Sequence, residues 1–173
     1  MFATNQSPRI LKPVKPWFIV ATLILALLLN LLPLQQWLFM PDWVMLALAF
    51  WSVREWRHVG LGWAFALGLL MDVADASALG QHALAYVLLG YGASSLSRRL
   101  LWFSLSLQAL HVLPLFLVAT SIQAAIRMIA GDMFPGWGIF VTPFLVALLW
   151  PIVSFFLLIP QYQPEERDEN RPI

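Results

Sequence analysis

Long apolar runs separated by short polar stretches make up most of this chain. Membrane β-strands alternate apolar and polar residues, whereas a continuous apolar run of about 17–25 residues is typical of a helix that crosses a bilayer. The runs here are continuous, and there are six of them: 17–34, 38–53, 59–74, 78–97, 101–128 and 138–159. The pattern predicts an all-α integral membrane protein with six transmembrane helices.

The second and third runs are shorter than a full span. We expect their helices to be shielded by neighbouring helices or to cross a locally thinned bilayer. A re-entrant pair over 43–74 is the alternative.

Composition supports a membrane protein and narrows its chemistry. The chain is 61% hydrophobic and 11% charged, against roughly 45–50% and about 25% for soluble domains. The absence of cysteine excludes disulfides and Cys-ligated metals. A net charge of +1 gives no reason to expect nucleic-acid binding.

Cations predict the orientation. With six crossings, one side holds nine of the ten: Arg9, Lys12, Lys15, Arg54, Arg57, Arg98, Arg99, Arg167 and Arg171. The other side holds Arg127. Because positive charge accumulates in the cytoplasm, we expect both termini to be cytoplasmic.

Three regions follow: a cytoplasmic tail over 1–16, a transmembrane domain over 17–160 and a disordered cytoplasmic tail over 161–173. The cationic residues before the first apolar run resemble the start of a secretory signal peptide. The first run is long enough to span and no small-residue cleavage site follows it, so we expect an uncleaved anchor.

Residues 71–86, MDVADASALGQHALAY, are the main polar interruption. Asp72 and Asp75 lie within one helical turn, whereas an aspartyl dyad needs carboxylates from two facing elements. Asp75 and Ser77 precede the fourth run, where a helix needs a capping acceptor. Asp72 ends the third run, where the helix dipole disfavours an anion, so it requires a partner on another helix or chain.

His82, Tyr86, Gly90 and Ser94 repeat at four-residue spacing and predict a packing face on the fourth helix. Their spacing matches no metal motif. Small residues Ala64 and Gly68, with Gly62 and Ala66 beside them, predict close packing of the third helix.

Polar residues in the last two runs have structural interpretations. Gln108 and His111 precede Pro114 and are expected to face the bundle interior. Arg127 and Asp132 predict an interfacial pair, and Trp150 is expected to pack inside the bundle.

No G-x-S-x-G, H-E-x-x-H or P-loop motif is present, so we expect no enzyme activity and no cofactor.

Several motifs in a fixed order resemble one family. They are PDW at 41–43, FWSVREWRHVGLGWAFALGLLMD at 50–72, SALGQHALAYVLLGY at 77–91, the pair Arg98–Arg99 and PFLVALLWPIVSFFL at 143–157. The chain resembles MreD, the rod shape-determining membrane protein of bacteria, in its proteobacterial form. The likeness covers most of the chain and is strongest over 41–99.

The resemblance implies a fold similar to the S components of vitamin transporters and a location in the bacterial inner membrane. It implies a non-enzymatic part in lateral wall elongation with MreC, MreB, RodA and a class B penicillin-binding protein. The family offers no catalytic residue, so the matching positions are structural or contact candidates: Pro41, Asp42, Gly60, Gly62, Gly68, Asp72, Gly80 and Tyr86. Asp75 has no family role, and His82 and Gly90 enter from the packing face alone.

Two other functions stay open. A solute-binding transporter subunit would place Asp72, His82, Gln108 and His111 around one cavity. An intramembrane enzyme would depend on Asp72 and His82. Contact with membrane lipid is expected, and a homodimer is left open.

Overall fold

The computed structural model describes residues 14–32 and 40–161. These residues form six α-helices and no strand. The helices are α1 (Pro16–Leu31), α2 (Trp43–Arg54), α3 (Leu61–Ala74), α4 (Gln81–Leu100), α5 (Leu105–Ile129) and α6 (Val141–Leu158). Short 3₁₀ turns, Trp137–Phe140 and Ile159–Gln161, flank α6. The all-α prediction is confirmed, and each helix lies within one predicted run to within a few residues, except that α2 begins later.

Parts of four predicted segments lie outside the described residues. They are the end of the first run, the start of the second, and nearly all of the two tails at 1–16 and 161–173. The boundaries of the tails therefore stay predictions.

Helix α2 is the centre of the bundle. Every residue from Val44 to Val53 is buried, although the helix has only 12 residues. At about 1.5 Å per residue it is about 18 Å long, well short of a hydrocarbon core of about 30 Å. It contacts α1, α4 and α6, so its backbone is surrounded by protein. Shielding by neighbouring helices, one of the two explanations expected for short helices, is what the structure shows for α2.

Aromatic side chains fill the space between α2, α5 and α6. Trp150 is 1% exposed, as expected, and its ring lies 6.2 Å from that of Phe50 and 6.1 Å from that of Phe116. Its indole N–H donates to Gln108 Oε1 at 3.4 Å. Trp51 is fully buried and its indole N–H donates to Thr22 Oγ1 at 2.9 Å.

The helices alternate in direction. Asp42, which precedes α2, bonds to Asn30 near the end of α1 and to Tyr86 near the start of α4. Asp72 at the end of α3 bonds to His82. The end of α5 and the segment before α6 border the same cavity as His82. We call this end of the bundle the aspartate end; α1, α3 and α5 end there, and α2, α4 and α6 begin there.

The described cations follow this geometry. Arg127, near the end of α5, lies at the aspartate end. The opposite end carries the others, Lys15, Arg54, Arg57, Arg98 and Arg99. Two helical stretches, Leu105–Ile129 and Trp137–Gln161, are long and apolar enough to cross a bilayer by length and composition alone. The number of crossings stays a prediction.

Candidate functional site: two capped aspartates

Asp72 caps the helix that follows its own. Its residue is 1% exposed, yet its carboxylate accepts the backbone amides of Gly80 at 2.8 Å and His82 at 2.7 Å. A third amide, from Ala83, lies at 3.4 Å. These are the unpaired N–H groups of the first turn of α4, where a helix favours an anion. The carboxylate that is disfavoured by the end of α3 is therefore held by the start of α4.

The turn between α3 and α4 explains why Asp72 takes this role. The residue that precedes α4 is Gly80, which has no side chain to cap with and adopts a left-handed φ of 98°. Ser77 folds back, donating its backbone N–H to the Asp72 carbonyl at 3.0 Å and its hydroxyl to Asp72 Oδ1 at 3.2 Å. The loop thereby wraps around the Asp72 carboxylate.

The prediction that Asp75 and Ser77 cap α4 is therefore wrong. Asp75 ends α3 with a side chain that is 29% exposed, and its Oδ2 lies 3.7 Å from His82 Nε2. No backbone amide in the part of the chain that the structure describes donates to its carboxylate. Partial burial raises the pKa of Asp75, and the neighbouring His82 opposes that rise.

His82 lies between the two acids. Its Nδ1 is 2.9 Å from Asp72 Oδ1, and its side chain is 11% exposed. Asp72 thus has its partner on the neighbouring helix. Within the described ranges, no group of three or more His, Cys, Asp or Glu side chains has the arrangement of a metal site.

Asp42 is a second capping carboxylate and it joins three helices. Its Oδ1 accepts the Met45 amide of α2 at 2.8 Å and the Asn30 side-chain amide of α1 at 2.9 Å. Its Oδ2 accepts the Tyr86 hydroxyl of α4 at 2.7 Å. Asn30 in turn accepts the backbone N–H of Trp43 at 2.9 Å. Asp42 therefore fixes the start of α2 against α1 and α4.

The two capping aspartates, Asp42 and Asp72, are connected through one face of α4. Tyr86 and His82 are four residues apart, and their rings pack edge to face with centroids 5.8 Å apart. One turn of α4 thus binds Asp42 through Tyr86 and Asp72 through His82. We refer to these four side chains as the aspartate network.

Close packing of α3 on α4 supports the network. A Cβ on Gly68 would collide with the backbone of Ala83 and His82. Ala64 is buried on the same face, and Gly90 of α4 is buried opposite α2 and α3. The close packing of α3 that was predicted from its small residues is therefore present at Ala64 and Gly68, whereas Ala66 is exposed.

Other candidates have looser surroundings. Gly60 and Gly62 have open space where a Cβ would stand, and Gly62 is exposed rather than part of the packing face. Pro41 is half-buried beside Asp42 and lines a cavity of about 420 Å³ together with Asn30 and His82.

Gln108 and His111 lie apart from the aspartate network. Gln108 is buried as expected and donates to the Phe103 carbonyl at 3.0 Å. His111 is exposed, contrary to expectation, with its ring stacked 4.5 Å from that of Phe103. It lines a cavity with Arg98 and Arg99 at the opposite end of the bundle. The single cavity expected for a solute-binding subunit, formed by Asp72, His82, Gln108 and His111, is not formed.

Asn30 is a site residue that was not predicted from the sequence, whereas the predicted pairing of Arg127 with Asp132 is confirmed. Asn30 is 7% exposed and bonds to both Asp42 and Trp43. A carboxamide inside an otherwise apolar run was the available signal, since buried polar groups in membranes need partners. Arg127 Nε lies 3.4 Å from Asp132 Oδ2, so the two residues form the predicted pair.

Comparison with known proteins gives a consistent result. The model of the family described as rod shape-determining protein MreD matches residues 12–159. The rod shape-determining protein MreD of Haemophilus influenzae is 33% identical over 154 residues, covering 83% of this chain and 89% of that protein. No solved structure gives a significant match.

Proposed function

This chain belongs to the MreD family of rod shape-determining membrane proteins, and on that premise we propose that it is a non-catalytic scaffold of the wall-elongation machinery. The family gives it a role in bacterial cell shape. We infer that the chain fulfils this role by holding partner proteins together in the inner membrane. Its proposed partners are MreC, and with it MreB, RodA and a class B penicillin-binding protein.

The aspartate network is the observation that supports this proposal. Both carboxylates are occupied by helix-capping amides and by side chains of neighbouring helices. A general base or nucleophile must be available to a substrate. Asp42 and Asp72 instead bind α1, α2, α3 and α4 to one another, which is the property of a rigid platform.

The proposed orientation places the aspartate end at the outer face, with all six helices crossing the membrane. The distribution of cations supports it, because Arg127 is the single described cation at that end. Both tails would then lie in the cytoplasm, where MreB filaments could approach them.

Complementation tests the scaffold role. In a rod-shaped host depleted of its own MreD protein, this chain should restore rods, and Asp72→Asn and His82→Ala should restore them in proportion to the folded protein that accumulates. A variant that reaches the wild-type membrane level but leaves the cells round would indicate catalysis instead.

Photo-crosslinking tests the partners. A crosslinking residue at Phe65 or Val73 of α3, or at Leu84 or Leu88 of α4, is exposed on the bundle surface and should capture MreC in membranes. The same residue at Ala85, which is fully buried, is the matched control and should capture nothing. Absence of MreC from all four exposed positions argues against these helices as its contact surface.

A further inference from the structure

The cavity at the junction of α4 and α5 lies at the end of the bundle opposite the aspartate end. It has a volume of about 550 Å³. Arg98, Arg99 and His111 supply its polar wall, and leucine and aromatic side chains supply the rest. Small-molecule sites measure roughly 300–1,000 Å³. The cavity is therefore large enough for a small headgroup, and it combines positive charge with an apolar surface.

The wall formed by the α4–α5 turn is held in place by α5. Gln108 Nε2 donates to the Phe103 carbonyl at 3.0 Å, and the ring of His111 stacks on that of Phe103 with centroids 4.5 Å apart. His111 Nδ1 donates to the Leu107 carbonyl at 2.8 Å, which fixes the imidazole ring. The turn and the imidazole therefore form a pre-shaped wall of the cavity.

The two arginines of this cavity are exposed and lack a counter-ion in the described part of the chain. Neither the Arg98 nor the Arg99 guanidinium forms an ion pair or a hydrogen bond with a described residue. Four of the five acidic residues in the described ranges lie at the aspartate end. The fifth, Glu55, lies 3.2 Å from His58 Nδ1. Both guanidinium groups are therefore available to an anion.

Two neighbouring side chains indicate the depth of the cavity in a bilayer. Trp102 is 90% exposed, and tryptophans of membrane proteins concentrate at the level of the headgroups. His111 is exposed six residues after the first residue of α5, or about 9 Å along the axis of a helix that is long and apolar enough to span. An exposed imidazole at that depth requires a polar partner. The cavity therefore lies where headgroups meet acyl chains.

We propose that this cavity binds the headgroup of an anionic phospholipid. Arg98 and Arg99 hold the phosphate, because a guanidinium group can donate two parallel hydrogen bonds to phosphate oxygens. The acyl chains lie along the exposed apolar face of α5 beside the cavity, at Leu107 and Leu110. A lipid satisfies both halves of the lining, whereas a free phosphate ion satisfies only the charged half. The inference does not depend on the scaffold role.

A thermal-shift titration of the full chain in a neutral detergent tests the proposal. The probe is dioleoyl phosphatidylglycerol, and dioleoyl phosphatidylcholine is its zwitterionic counterpart. A ligand that binds the folded state stabilises it. The anionic lipid should therefore raise the thermal midpoint at a lower mole fraction than the zwitterionic lipid, and equal effects of the two lipids would overturn the proposal.

Single substitutions locate the site. Arg98→Gln and Arg99→Gln should each raise the mole fraction of anionic lipid needed for half the shift about fivefold, the equivalent of about 1 kcal/mol per cation near an anionic surface. Arg57→Gln is the matched control, because it removes the same charge from an exposed position at the same end, outside the cavity lining. It should leave the titration unchanged. Equal weakening in all three variants would indicate a diffuse attraction and overturn the proposal.

Two further measurements separate a lipid from other anions. Inorganic phosphate has no acyl chains and should not abolish the shift caused by the lipid; if it does, the choice of a lipid is wrong. A chain that ends at Gln161 lacks the four acidic residues of 162–173 and should bind the lipid with unchanged affinity. A marked gain in affinity would show that those acids occupy the cavity, and would overturn the proposal.

Discussion

The Asp72 carboxylate accepts a hydrogen bond from the backbone amide of His82, at 2.7 Å, and a second from the ring Nδ1 of the same residue, at 2.9 Å. One residue of α4 thus binds the end of α3 twice, through its main chain and its side chain. Rotation of α4 by a single residue would break both bonds. The pair therefore fixes the register of α3 against α4.

Asp72→Ala should destabilise the protein strongly, because the first-turn amides of α4 lose their acceptor in a buried site. Removal of the partner of a buried donor costs about 1–3 kcal/mol, and more for charged groups. Unfolding in mixed micelles measures the loss. Asp75→Ala is the matched control, since its carboxylate caps no helix and lies 3.7 Å from His82 with partial access to solvent; pairs at the surface contribute about 0–1 kcal/mol. Equal losses in the two variants would show that Asp72 has no capping role.

Tyr86→Phe should lower stability by about 1.5–3 kcal/mol, the usual contribution of a hydrogen bond to a charged group. The change removes the hydroxyl that donates to Asp42 and little else. Tyr91→Phe, on the exposed face of the same helix, should have no measurable effect. A double-mutant cycle of Tyr86→Phe with Asp42→Asn should show strong coupling, and simple additivity of the two losses would contradict the contact.

Gly68→Ala should destabilise the bundle by about 1–3 kcal/mol, as overpacking does. The added methyl would meet the backbone of α4, which cannot move aside as a flexible side chain can. Gly62→Ala, on the same helix but with open space around it, should be neutral or should stabilise the helix by about 0.5–1 kcal/mol. Thermal midpoints in detergent compare the two variants, and an unchanged midpoint for Gly68→Ala would contradict the close contact.

Single cysteines test the proposed topology in this chain, which has none of its own. Trp102, which is 90% exposed in the α4–α5 loop, serves the end opposite the aspartate end. Met133, 91% exposed before α6, serves the aspartate end. An impermeant reagent added to intact spheroplasts should label Met133→Cys and spare Trp102→Cys. Labelling of both from outside excludes the six-span topology.

The positions of the helices could be predicted from the sequence because the apolar runs are continuous and the polar breaks are short. Trp150 and Gln108 were placed correctly inside the bundle for the same reason. His111 was not. The buried face of α5 follows Gln108, Val112 and Phe116, and this four-residue spacing leaves His111 one position short of the face.

The cap of α4 could not be predicted, because the usual rules consider only the residues next to a helix. Asp75 and Ser77 are closer to α4 in sequence, and the position of Asp72 at the end of α3 suggests only the unfavourable dipole of its own helix. The left-handed turn at Gly80 brings Asp72 under α4, eight residues before the first amide it accepts. The bond between Asp42 and Tyr86 spans 44 residues, which no local pattern reports.

The enclosure of α2 has a consequence for the order of assembly. The ribosome delivers α2 before α4 and α6, yet both of these helices pack against it. Part of the surface of the 12-residue helix α2 therefore stays uncovered until α6, which ends at Leu158, has been synthesised. Helix α2 is thus synthesised early but is fully enclosed only when the last helix packs against it. A chain truncated before α6 would leave the α6-facing surface of α2 exposed to quality-control proteases.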